Sequence, residues 1–227
     1  MIPMRLSIIV PVLDEASQLP DLFEHLRPLQ RAGCEIIFSD GGSTDGSVKL
    51  AQASGFPVII APRGRARQMN AGAAGATGDV LLFLHADTRL PECADHLVIK
   101  ALTSGEHCWG RFNVRITGRS FMLGVIGRMM NWRSRLGGIA TGDQALFVRR
   151  DVFEHLKGYP DQPLMEDVEL CKRLLRFSRP ACITRCVETS GRRWETAGVW
   201  RTILLMWWLR WAYWRGVSAI ELAKTYR

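Results

Sequence analysis

Gly78-Asp79-Val80-Leu81-Leu82-Phe83-Leu84-His85-Ala86-Asp87-Thr88 holds five consecutive apolar residues and then stops on a histidine and an aspartate. A run of that length, with no polar alternation, reads as a strand buried on both faces. In open α/β sheets, ligands bind beyond the carboxyl ends of the strands. An aspartate there is placed to hold a divalent cation and, through it, the phosphates of a substrate. Aspartate is also a common turn residue, so Asp87 taken alone fits a turn cap equally well.

Upstream of this stretch, strand and helix patterns alternate. Strand-like runs fall at 6–12, 35–38 and 57–61, and helical spacing at 19–29, 47–53 and 68–76. Such alternation predicts a mainly parallel, Rossmann-like sheet flanked by helices. Downstream the pattern is less regular. Helices are expected at 95–102, 121–131 and 166–177, and extended segments at 112–116, 145–148 and 181–187. Residues 1–195 are read as one catalytic domain, with a nucleotide-binding half (1–90) and an acceptor half (91–195). Residues 196–227 form an amphipathic helical tail.

That tail is rich in tryptophan: six of the eight tryptophans lie between 194 and 214. Its longest uncharged stretch, 202–209, is far shorter than the roughly 20 residues that span a bilayer. Tryptophan with arginine fits a helix lying at a membrane interface. A homodimer contact or packing on the main domain fits the pattern too. The net charge of +8 favours anionic partners. The six scattered cysteines lack metal-site spacing and read as reduced, mostly buried thiols of a cytoplasmic protein. The opening Met1–Arg5 has no leader pattern.

Three strand ends carry polar groups that a parallel sheet brings to one edge: Pro11-Val12-Leu13-Asp14-Glu15, Asp40-Gly41-Gly42-Ser43-Thr44-Asp45-Gly46 and His85-Ala86-Asp87. Neither a GxGxxG nor a GxxxxGK[ST] loop is present, which argues against a dinucleotide dehydrogenase or a P-loop enzyme. Arg63-Gly64-Arg65-Ala66-Arg67 is a basic cluster suited to phosphate and, equally, to a solvated loop. Gly142-Asp143-Gln144 precedes a strand. Glu166, Asp167 and Glu169 open a helix, where acids favourably face the dipole or where one could serve as a general base.

As an ordered set, from about residue 5 to 195, these motifs resemble the family 2 glycosyltransferases of GT-A fold. Pro11–Glu15 is similar to the family's Pro-x-x-Asn-Glu, with Asp14 in place of asparagine. Residues 40–46 resemble its Asp-Asp-Gly-Ser-x-Asp-Gly signature. The wording of 64–72, 83–88, 142–144 and 165–170 resembles a small bacterial subgroup of radical-SAM/selenodomain-associated transferases linked to arsenosugar biosynthesis.

The resemblance implies an inverting, non-processive transfer from a nucleotide-diphosphate sugar to a hydroxyl acceptor, with Mg²⁺ or Mn²⁺ bound by Asp87 and no nucleic-acid partner. Nucleotide contacts would come from Pro11, Asp14, Glu15, Asp40, Gly41, Arg65, Arg67, His85 and Ala86. Asp167, with Glu166, would supply the base. Asp143, Gln144, Arg193 and Trp194 would lie on the acceptor side. The protein would be cytoplasmic, on the inner membrane face where the tail is interfacial.

Three departures stand out. His85 takes the first position of the DxD motif. Met69 stands where the family's nucleotide-contacting arginine usually lies, leaving Arg65 or Arg67 to substitute. Ser190-Gly191-Arg192-Arg193-Trp194 resembles the QxxRW motif with Ser190 for glutamine. A nucleotidyltransferase of similar fold, or a basic membrane-surface or nucleic-acid binding protein with a degenerate site, are the alternatives.

Overall fold

The computed structural model describes residues 4–226. Residues 1–3 of the opening stretch and residue 227 of the tail lie outside them. Four strands, β1 (Leu6–Val12), β2 (Glu35–Asp40), β3 (Val58–Ile60) and β4 (Val80–Phe83), alternate with α1 (Leu19–Arg31), α2 (Ser47–Ala53) and α3 (Arg65–Ala74). The strands pair in parallel in the order β3-β2-β1-β4. Every residue of β4 is buried, as its unbroken apolar run requires.

The sheet continues as β7-β6-β8-β5, with β5 (Thr88–Arg89), β6 (Trp109–Thr117), β7 (Phe147–Arg149) and β8 (Ala181–Ser190). β6 and β8 are parallel, whereas β7 runs antiparallel to both β4 and β6, and β5 antiparallel to β8. Helices α4 (Ala94–Thr103), α5 (Phe121–Gly137), α6 (Arg150–His155) and α7 (Glu166–Leu174) cover this half.

Successive side chains of a strand point to opposite faces, and both faces of this sheet are covered. Ile8, Val10 and Leu82 enter a cluster with Leu22, Val98 and Ile126. Ile9, Leu81 and Phe83 enter a second with Met69, Phe153 and Leu170. Met69 is therefore a core residue.

Several boundaries differ from expectation. α3 starts at Arg65, so Arg65 and Arg67 form a helical first turn; Gly64, at φ 137°, turns the chain into it. α5 continues past Asn131 until Gly138 takes a left-handed conformation at φ 68°, the usual way a helix is stopped. β5 and α6 are too short to carry a periodic signal. Among the cysteines, all free, only Cys34 and Cys171 are buried, while Cys93 and Cys186 are exposed. Cys93 sits at the left-handed start of α4 and Cys186 on a bare stretch of β8, which corrects the expectation of mostly buried thiols.

The tail forms α8 (Arg192–Ala197), α9 (Val199–Trp214) and α10 (Ala219–Thr225). Leu209 and Ala212 of α9 pack with Leu222 and Met165, whereas Trp200, Trp207, Trp208, Trp211 and Trp214 remain exposed. Among the described residues no helix is long and apolar enough to cross a membrane.

Candidate active site

The loops after β1 and β2 are stitched together by their own carboxylates. Asp40 accepts the N–H groups of Gly42 (2.8 Å) and Ser43 (2.9 Å) and the Ser43 hydroxyl. Asp14, in left-handed backbone at φ 54°, accepts the Thr44 N–H at 2.8 Å. Asp45 accepts the Ala16 N–H at 2.8 Å. Beneath them the buried Gln68 amide donates to the carbonyls of Val12 (2.6 Å) and Ser39 (3.0 Å). Gly41 passes so close that a Cβ there would lie 2.9 Å from the Gln68 Cδ, which leaves room for glycine only.

Beyond these strand ends opens a cleft of about 560 Å³. Pro11 and Glu15 line it from β1, and His85, Ala86 and Asp87 from β4. Arg65, Asp143, Arg193 and Trp194 complete it from later elements. The structure does not bring the other expected residues to its surface. Asp14, Asp40 and Gly41 shape the loops just described. Arg67 turns away and holds Asp161 with two bonds, at 2.7 and 3.0 Å.

Gln144 is fully buried, and its amide donates to Ser134 Oγ at 3.0 Å, tying the turn before β7 to α5. It faces the core and does not line the cleft. Sequence reading passed over Gln68 and Tyr226. Gln68 sits inside a motif that was otherwise noticed. Tyr226 carries no local signal, because only α10 folding back delivers it to the cleft.

Asp87 is held at a turn closed by the backbone, Thr88 N–H donating to His85 O at 3.0 Å. Its carboxylate receives only the Thr88 hydroxyl, at 3.3 Å, among the described residues, and otherwise faces the cleft. Glu15 opposes it: burial, and then the charge of Asp87, push the Glu15 carboxyl upward. Two carboxylates that repel across open space suit a cation. Among the described residues no group of three His, Cys, Asp or Glu could hold a metal alone. A divalent cation held by these carboxylates would complete its shell with water and substrate phosphate, as Mg²⁺ ordinarily does.

Arg63, Arg65, Arg192 and Arg193 also line the cleft. Burial works against the charge of Arg65, but Glu166 (3.6 Å away), Asp143 and Asp167 hold it protonated. Burial likewise pushes the Asp143 carboxyl up, yet the hydrogen bond and charge of His85, with Arg65 and Arg193, outweigh it and hold it below its usual range. Asp167 is outside the cleft lining, accepting the N–H groups of Gly142 (3.1 Å) and Val168 (2.7 Å). Burial and the neighbouring Glu166 push its carboxyl up to about 6. Tyr226 stands under the Arg193 guanidinium, 4.4 Å from ring centre.

Residues 7–164 match the family described as glycosyl transferase family 2. The chain belongs to that family. A PGL/p-HBAD biosynthesis glycosyltransferase of Mycobacterium bovis (strain BCG / Pasteur 1173P2) is 33% identical over 198 residues, covering 79% of this chain and 72% of the relative. S. aureus TarS 1-349 superposes with a TM-score of 0.65 at 14% identity over 83% of this chain. Glucosyl-3-phosphoglycerate synthase from Mycobacterium tuberculosis, solved with Mn²⁺, uridine diphosphate and phosphoglyceric acid, gives 0.59 at 20% identity over 82%. At these identities the structures show the fold, which is GT-A. The chain spans 61% of the TarS structure.

Proposed function

We propose that the cleft binds a nucleotide-diphosphate sugar and transfers the sugar, with inversion, to a hydroxyl acceptor. The observation that carries this reading is the mixed lining of the cleft, in which the carboxylates of Asp87 and Glu15 border the same space as four arginines. A diphosphate is the anion that engages both, through guanidinium forks and a shared cation. That relatives of the fold are solved with Mn²⁺ and nucleotide supports Mn²⁺ or Mg²⁺ here, with Asp87 as its ligand. When bound, the cation offsets negative charge on the leaving diphosphate.

The remaining work falls to side chains. Arg65 and Arg193 orient the diphosphate, and Pro11, Glu15 and Ala86 bound the nucleotide. Asp14, Asp40 and Gly41 shape the base-side loop, and Trp194 forms the acceptor wall. Asp167 accepts the proton of the acceptor hydroxyl as that oxygen attacks the anomeric carbon opposite the departing nucleoside diphosphate. Its elevated pKa suits a base working near neutrality. Asp143 is the second reading for the base, because it lines the cleft directly and Asp167 does not.

Ser190 in place of glutamine in the RW motif favours transfer of a single sugar. The transferase unit is proposed as residues 1–195, with 196–227 appended. Six free thiols fit a reducing, cytoplasmic setting. Placement in the radical-SAM-associated, arsenosugar-linked subgroup rests on motif wording alone; turnover with an arsenic-bearing acceptor would support it.

Thermal-shift screening of nucleotide sugars with and without Mn²⁺ tests the reading, and product analysis sharpens it. Release of nucleoside diphosphate is expected. Release of pyrophosphate would assign a nucleotidyltransferase instead, and no shift with any nucleotide diphosphate would overturn both.

A further inference from the structure

Two helices leave apolar faces uncovered. On α5, Phe121, Val125, Met129, Trp132 and Leu136 are exposed, spaced by three and four residues and so on one face. On α9, Trp200, Leu204, Trp207, Trp211 and Trp214 repeat the pattern, with Trp208 beside them. The opposite faces are already occupied. Leu123, Ile126 and Met130 of α5 enter the core, Leu209 and Ala212 of α9 pack on Met165 and Leu222, and Thr202 and Met206 line the cleft.

The charges on these helices have a single sign. Neither Phe121–Gly137 nor Val199–Trp214 contains an aspartate or glutamate; they carry Arg128, Arg133, Arg135, Arg201 and Arg210. Arg128, Arg135 and Arg201 are exposed, and among the described residues none of the three forms an ion pair. An occupant must therefore offer apolar depth and negative charge together. A second copy meeting these faces isologously would set arginine against arginine with no carboxylate on either helix. An anionic lipid surface supplies both requirements, and tryptophan and arginine are the side chains that settle at its headgroup level.

We propose that α5 and α9 dock this protein on an anionic phospholipid bilayer, with the tryptophan rings at the headgroup boundary and the cleft opening along the inner side of α9. This surface stands independently of the transferase reading.

Flotation of the full chain with vesicles tests it, comparing phosphatidylcholine alone with phosphatidylcholine mixed with phosphatidylglycerol. Binding to the mixed vesicles is expected, with a blue shift of tryptophan emission and weakening by added salt. Arg201→Glu should lower the vesicle affinity about tenfold, and Trp207→Ser with Trp211→Ser should abolish flotation while far-ultraviolet circular dichroism is unchanged. Failure to float with the mixed vesicles at low salt would overturn the proposal. So would equal binding to both vesicle types, or a vesicle-indifferent dimer that the paired tryptophan substitutions dissociate.

Discussion

His85 Nδ1 lies 3.2 Å from Oδ1 of Asp143, joining the end of β4 to the turn before β7. The ring's other nitrogen, Nε2, is buried without a partner among the described residues. Facing a carboxylate, which can only accept, Nδ1 carries the proton and donates to Asp143. The histidine that departs from the DxD pattern is thus a donor to the carboxylate beside it.

Restoring the pattern should therefore harm the enzyme. His85→Asp places a second carboxylate against Asp143, where like charges in a confined site repel. His85→Asn keeps a donor. We expect the asparagine variant to retain most donor affinity and the aspartate variant to lose about tenfold or more, as for one lost charge-assisted bond. Steady-state KM for the donor at neutral pH reads the difference. Equal behaviour of the two variants would remove the pairing from any functional role.

Gly142 carries a related constraint. A Cβ at that position would collide with the His85 ring, whose Nε2 edge is buried and whose Nδ1 is tied to Asp143, so it has little freedom to yield. Gly142→Ala should destabilise the fold by about 1–3 kcal/mol, the usual range for overpacking. It should also displace the N–H that Asp167 accepts. Urea unfolding of the variant checks the magnitude.

Asp87→Asn should leave the fold intact, because the carboxylate makes no bond that secures the backbone turn. It should reduce Mn²⁺-dependent nucleotide binding by at least about tenfold, equivalent to roughly 1.4 kcal/mol, with little effect on metal-free binding. Calorimetric titration of nucleoside diphosphate with and without Mn²⁺ separates the two. An unchanged metal-dependent increment would move the cation elsewhere.

Much of this arrangement is visible in the chain because its signals are local. The apolar run before His85, the glycines after Asp40 and the alternation through residue 76 each predict β1 to β4 and their shared edge. What escapes is non-local or too short. The extended segment expected at 145–148 is β7 (Phe147–Arg149), but no local signal says that it inserts antiparallel between β4 and β6 and brings Asp143 to His85. Gln144 sits next to Asp143 and looked like a partner in the site, but the tight turn sends neighbouring side chains in opposite directions, one to the cleft and one to the core. Tyr226 reaches the cleft only through the packing of α9 and α10 on Met165, a contact that no window of sequence contains.

Asp167 links function to stability through pH. With its carboxyl pushed up to about 6, the proposed base is ionised mainly above that value, so kcat/KM should fall as pH drops through about 6. The stability effect runs the other way. An unfolded chain gives up this proton near pH 3.9, whereas the folded protein keeps it until about 6. Across that window the native state binds more protons, and stability must fall as pH rises, then level off. The whole effect is at most about 2–3 kcal/mol. Asp167→Asn removes it. Near pH 4 the variant should be the less stable protein, because one amide oxygen cannot serve both the Gly142 and Val168 N–H groups. Above pH 6.5 that deficit should shrink or reverse while transfer is lost. Melting temperatures of both proteins across this range provide the check, since other groups titrate alike in each. Parallel melting curves would show that Asp167 is ionised throughout, and retained turnover in Asp167→Asn would pass the base role to Asp143.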